Sequence, residues 1–126
     1  MLCFYKTIDN VIKRIDTFSE GCWINVVSPT PEEIAYLTEE LSLDRSFVSA
    51  ALDEEESSRV EVEDDQTLII IDTPIAVTEA DNTLVYTTMP LGIIVTKSSV
   101  VTICLNQITA VEDVAQGVVR NVQTAM

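Results

Sequence analysis

Runs of alternating or continuous apolar residues alternate with stripes of helical spacing along this chain. Residues 2–5 are apolar and aromatic and predict a first strand. Ile8, Val11, Ile12, Ile15 and Phe18 then recur at helical spacing, which predicts a helix closed by Gly21. Cys22 to Val27 is a β-prone run ended by Ser28 and Pro29, as for a buried strand entering a turn. A second helix has a marked start: Thr30 as cap, Pro31 in the first helical position, and Glu33 completing a Thr-x-x-Glu capping box. Its stripe is Ile34, Leu37 and Leu41, and a short third helix follows on Phe47, Val48, Ala51 and Leu52.

The second half reads as a meander. Arg59 to Glu63 alternates with period two, as a strand solvated on one face does, and Asp64-Asp65 makes a turn. Residues 67–72 are nearly all apolar and β-branched, which predicts a central strand covered on both faces. Residues 75–78, 84–89, 91–96 and 100–105 are further strand candidates, punctuated by Asp81-Asn82 and Lys97-Ser98-Ser99. Thr109 and Glu112 repeat the capping-box spacing, and Val111, Val114, Ala115, Val118, Val119 and Val122 give a last helix one apolar stripe. This order predicts an α/β fold, a three-layer α-β-α sandwich around a mixed parallel and antiparallel sheet, with residues 1–126 as one domain.

Composition narrows the function more than the fold. Twenty-one acidic residues against seven Lys plus Arg give a formal net charge of -14, which repels phosphate backbones and anionic headgroups and excludes nucleic acid as a partner. The hydrophobic share of 47% supplies enough apolar surface for folding despite that charge. Cys3, Cys22 and Cys104 are odd in number and sit in apolar stretches, so they read as reduced core residues. With no histidine and no paired cysteines, Ser-His-Asp chemistry and a structural zinc site have no basis, and the widely separated Gly21, Gly92 and Gly117 form no phosphate loop. No catalytic residues and no tightly bound cofactor are therefore expected. The apolar runs are too short to span a bilayer, and the opening Met-Leu-Cys-Phe-Tyr-Lys lacks the order of a secretory signal, which predicts a soluble chain facing the cytosol.

The densest chemical feature is the stretch 53–65, with eight carboxylates and Arg59 as its one cation. A divalent cation relieves such crowding, and magnesium accepts one or two carboxylates while keeping several of its waters. No segment has the alternating ligands, central glycine and final glutamate of an EF-hand. Magnesium-assisted action on a phosphate ester would also need a basic cluster to hold the phosphate, and the stretch has none. Trp23 and Phe47 fall inside apolar patterns and read as core.

Three ordered segments carry a family resemblance. Trp23-Ile24-Asn25, followed by Pro29-Thr30-Pro31-Glu32-Glu33, resembles the cytoplasmic domain of CorA-type magnesium and cobalt transporters. Leu41-Ser42-Leu43-Asp44 through Leu52, then Arg59-Val60-Glu61, is similar to that family's passage from a short helix into a strand. Leu91 through Lys97, followed by residues 100–104, looks like its paired strands around a Thr-Lys turn. The resemblance covers about residues 22–105.

It implies the amino-terminal cytoplasmic domain of a homopentameric divalent-ion channel, cut before the stalk and transmembrane helices. In such a channel, magnesium bound between neighbouring subunits favours the closed state. The implied partners are metal ion, neighbouring subunits and the stalk helix, at the cytoplasmic face of the membrane. The family's sensing carboxylates align with Ser49 and Ala50, neither of which can act as one, so Asp53 and Glu54, one turn later, are the candidate displaced ligands of a weak regulatory magnesium. Ser58 also replaces the family's proline before the Arg-Val-Glu strand. A related zinc transporter, or a stand-alone acidic interaction domain, remains the alternative.

Overall fold

A computed structural model describes residues 1–117 and residue 124. Among the described residues seven strands form one sheet: β1 (Leu2–Ile8), β2 (Val11–Ile15), β3 (Cys22–Val27), β4 (Arg59–Glu63), β5 (Gln66–Thr78), β6 (Leu84–Val95) and β7 (Ser99–Cys104). Their spatial order is β2-β1-β3-β7-β6-β5-β4. Only the pairing of β3 with β7 is parallel, so the sheet is mixed, as the sequence predicts. Helix α1 (Pro31–Ala35), a π-type turn (Tyr36–Glu40) and α2 (Arg45–Ala51) lie between β3 and β4, and α3 (Thr109–Ala115) follows β7.

Two clusters on opposite faces of the sheet make three layers. Leu37, Leu43, Phe47, Val48 and Ala51 pack on Ile24, Val26, Leu68, Ile70, Ile94 and Ile103. On the other face Ile108 and Val111 pack on Trp23, Leu91 and Cys104. Strands β3 and β7 sit in the middle and are buried on both faces, which explains their near-continuous apolar sequences.

Local sequence explains where elements begin. Thr30 accepts the Glu33 N–H at 3.2 Å while the Glu33 carboxylate accepts the Thr30 N–H at 2.9 Å, so the capping box forms as read. The same spacing at Thr109 does not make one. Glu112 donates its N–H to the Ile108 carbonyl, so Thr109 is already inside the first turn and cannot act as cap. Of that helix's expected stripe, Val118, Val119 and Val122 lie outside the described residues.

Three further expectations are corrected. The segment 8–18 is no helix: β1 runs to Ile8 and turns at Asp9 and Asn10, both at positive φ, into β2. A two-residue turn of that hand requires positive φ at both positions, which Asp and Asn tolerate, and it matches the strand twist. The apolar spacing that mimicked a helix comes partly from Ile8 and Val11, which flank the turn and are exposed. The strand at 67–72 is not central either. It belongs to β5, next to the edge, where Ile71 is exposed. Finally, the candidates at 75–78 and 84–89 are the outer halves of β5 and β6, paired continuously from Thr67 with Val95 to Thr78 with Leu84.

Candidate functional site

The acidic segment leaves α2 on a firmly held base. The Asp44 carboxylate accepts the N–H of Ser46 at 2.9 Å and of Phe47 at 3.3 Å, and the Ser46 hydroxyl at 2.5 Å. These bonds, the Ser46 hydroxyl first, hold the Asp44 carboxyl below the usual carboxylate range. Gln66, at the start of β5, donates to the Ser42 carbonyl and accepts the Asp44 N–H, both at 2.8 Å. One amide thus ties the α2 entrance to the β4–β5 hairpin.

The buried side of α2 carries Phe47, Val48, Ala50 and Ala51, and Ser49 is exposed. Asp53 follows the helix with its N–H on the Ala50 carbonyl at 3.2 Å and its carboxylate accepting the Glu55 N–H at 3.0 Å. Glu54 is exposed beside it. Arg59 is bracketed by Glu56 and by Glu61, the latter at 3.1 Å, and these hydrogen bonds raise its already high pKa. Lys97 meets Asp65 at 3.3 Å.

Asp53, Glu54, Glu55, Glu63 and Asp64 therefore have no ion pair among the described residues. No group of three or more acidic or thiol side chains is arranged to enclose a metal ion among those residues. What the segment offers is a solvated negative field with one backbone-anchored carboxylate, Asp53, suited to a cation that keeps most of its water.

Other polar features are structural. A groove of about 380 Å³ between β1 and α1 is lined by Leu2, Phe4, Thr17, Glu32, Glu33 and Tyr36. Glu33 there also receives the Met1 amine at 3.1 Å. Its carboxyl is held low, first by the Thr30 N–H. Under α3 the Trp23 indole donates to the Thr102 hydroxyl at 2.8 Å, which donates to the Asn25 side-chain oxygen at 3.0 Å. Sequence reading placed Trp23 in the core and missed this chain of bonds, because Thr102 is distant in sequence and only the β3–β7 register brings it beside Asn25.

Comparison with known proteins agrees with the fold. Residues 18–124 match the family described as CorA-like Mg2+ transporter protein. The complete CorA magnesium transporter of Methanocaldococcus jannaschii superposes with a TM-score of 0.75 at 28% identity, over 92% of this chain and 36% of that one. The soluble domain of the same transporter gives 0.75 at 26% identity, over 92% of this chain and 45% of that one. The ZntB cytoplasmic domain of Vibrio parahaemolyticus RIMD 2210633 shares the fold at a TM-score of 0.65 and 12% identity, over 91% of this chain and 49% of that one. The chain thus spans less than half the length of each of these structures. Comparison with curated proteins gives no match.

Proposed function

The chain belongs to the CorA-like Mg2+ transporter family, and from that premise we propose that it is a regulatory domain of a divalent-cation transporter, placed on the cytoplasmic side of the membrane. The observation that carries this reading is the family match across residues 18–124, joined to an α-β-α sheet with the same architecture as the M. jannaschii soluble domain. The domain is non-catalytic on this reading: it contributes a cation-responsive surface within an assembly of identical subunits, a homopentamer. No helix among the described residues is long and apolar enough to cross a membrane, so translocation falls to other parts of such a transporter.

Magnesium is the proposed cargo and regulator, with cobalt as a second transported ion. Asp53 and Glu54 are the proposed regulatory ligands, at a boundary that a neighbouring subunit or the stalk helix completes. The support is local: Ser49 and Ala50 carry no charge, and the first carboxylates beyond α2 are these two, neither in an ion pair among the described residues. Likeness to the ZntB domain bears on the fold alone and does not select zinc.

Calorimetric titration of magnesium into this chain and into a D53N/E54Q variant tests the assignment. Millimolar-range binding that weakens severalfold in the variant is expected. Equal titrations would remove Asp53 and Glu54 from the site.

A further inference from the structure

The groove between β1 and α1 is separate in sequence from the acidic segment 53–65. Its volume of about 380 Å³ is in the range of sites that enclose a small molecule. Leu2 and Phe4, at alternate positions of β1, form one wall, and Tyr36 forms the other. The Phe4 and Tyr36 rings meet edge to face, with centroids 6.2 Å apart and planes at 86°. These walls are apolar and aromatic, whereas the charged groups of the lining, Glu32 and Glu33, are both acidic.

The two glutamates have different duties. Glu33 is committed to the fold, because its carboxylate accepts the Thr30 N–H at 2.9 Å and the Met1 amine at 3.1 Å. Glu32 is exposed, as is Glu40 on the far side of Tyr36, and neither is in an ion pair among the described residues. They stand four residues before and four residues after Tyr36, roughly 12 Å apart along the helix axis. Burial first, and Cys22 and Glu40 nearby, raise the Tyr36 hydroxyl above its ordinary pKa, so the ring keeps its proton and adds no charge.

The backbone under Tyr36 departs from an α-helix. A π-type turn begins there, with the Leu41 N–H on the Tyr36 carbonyl at 3.2 Å, and the Thr38 hydroxyl donates to the Ile34 carbonyl at 3.1 Å. Such turns are rare and frequently mark functional sites. This one carries the aromatic ring between the two carboxylates.

The chemistry of the walls and rim selects the ligand. A hydrated metal ion gains nothing from aromatic and aliphatic walls. An anion is repelled by the carboxylates and by the net charge of -14. An organic ammonium uses both parts of the groove: its charge meets the carboxylates and the rings, and its methylenes cover the apolar wall. Carboxylates set two turns apart suit more than one ammonium joined by an aliphatic chain.

We propose that the groove between β1 and α1 binds a free aliphatic polyamine, with Glu32 and Glu40 meeting its ammonium groups and Phe4 and Tyr36 its methylenes. The proposal rests on this groove alone and on neither the transporter reading nor Asp53 and Glu54.

The test is calorimetric titration of spermidine into the whole chain at fixed ionic strength, with amide NMR shifts to locate it. Saturable binding is expected, with the shifts centred on Leu2, Phe4, Thr17 and Tyr36. E32Q/E40Q, at two exposed positions that leave the fold intact, should weaken binding by roughly fivefold, and Y36L by roughly threefold. E63Q/D64N removes the same charge from the end of β4 and its turn, and should leave affinity within about twofold. Binding that E32Q/E40Q weakens no more than E63Q/D64N does would show general attraction to an acidic protein and overturn the proposal. So would the absence of saturable binding, or displacement of spermidine by equimolar magnesium. Tighter binding of a dilysine amide of the same charge would make a partner's lysine side chains the occupant, which also overturns it.

Discussion

Gly92 of β6 and Ala51 of α2 meet so closely that a Cβ on the glycine would stand 2.4 Å from the Ala51 methyl. This contact sets how near α2 lies to the sheet. G92A should destabilise the fold by about 1–3 kcal/mol through overpacking. A51G relieves the clash but weakens the helix by about 1 kcal/mol. The double variant should therefore be more stable in urea denaturation than the sum of the single changes, and strict additivity would mean that α2 is not seated on Gly92.

The Thr102 hydroxyl both accepts from Trp23 and donates to Asn25, each of them buried. T102V keeps the shape and leaves two buried polar groups without partners, which should cost about 2–4 kcal/mol. Urea denaturation measures the loss, and a shift in Trp23 fluorescence in the folded variant reports the freed indole.

Glu33 and Asp44 have carboxyls held below their ordinary range, by the Thr30 N–H and the Ser46 hydroxyl respectively. A depressed folded pKa means that the unfolded chain takes up protons first as pH falls. Their contribution is fully present above the ordinary carboxylate range, about pH 4, and is lost as pH drops through the folded values. Thermal unfolding followed from neutral pH to below pH 4 should show a falling Tm, with a shallower fall in E33Q and D44N.

Burial pushes the Cys104 thiol up to about 11. Because thiolate is the reactive form, Cys104 should resist alkylation at neutral pH in the folded chain and react readily in denaturant. Mass spectrometry after timed alkylation reads this directly, and fast modification of Cys104 in the native chain would contradict its burial.

Much of this fold is written in local sequence. The box at Thr30 and Glu33, the double-sided apolar run at β3 and the short α2 all form where their residues indicate. Errors arose where one pattern serves two geometries. Ile8, Val11, Ile12 and Ile15 satisfy helical spacing, yet Asp9 and Asn10 at positive φ turn the chain into a hairpin. At Thr109 the helix starts one residue earlier than the capping pattern implies. Strand order is a long-range property, so a β-branched run such as 67–72 signals β structure without revealing that β5 lies beside an edge.

The candidate site was legible only as chemistry. The carboxylates at 53–65 are plain in the sequence, and Arg59 pairs with its sequence neighbours Glu56 and Glu61, but the Gln66 clamp depends on how β5 folds back toward the α2 entrance. Val60 and Val62 look in sequence like the buried half of a half-solvated strand, yet both are exposed, which only the placing of β4 at the sheet edge reveals.

The most direct test compares thermal unfolding of the chain in magnesium chloride with sodium chloride at matched ionic strength. A regulatory cation domain is stabilised specifically by magnesium, by about 1.4 kcal/mol when free ion reaches tenfold the dissociation constant, and less so in D53N/E54Q. Equal Tm in the two salts would mean that the acidic segment responds only to screening, and would contradict the account.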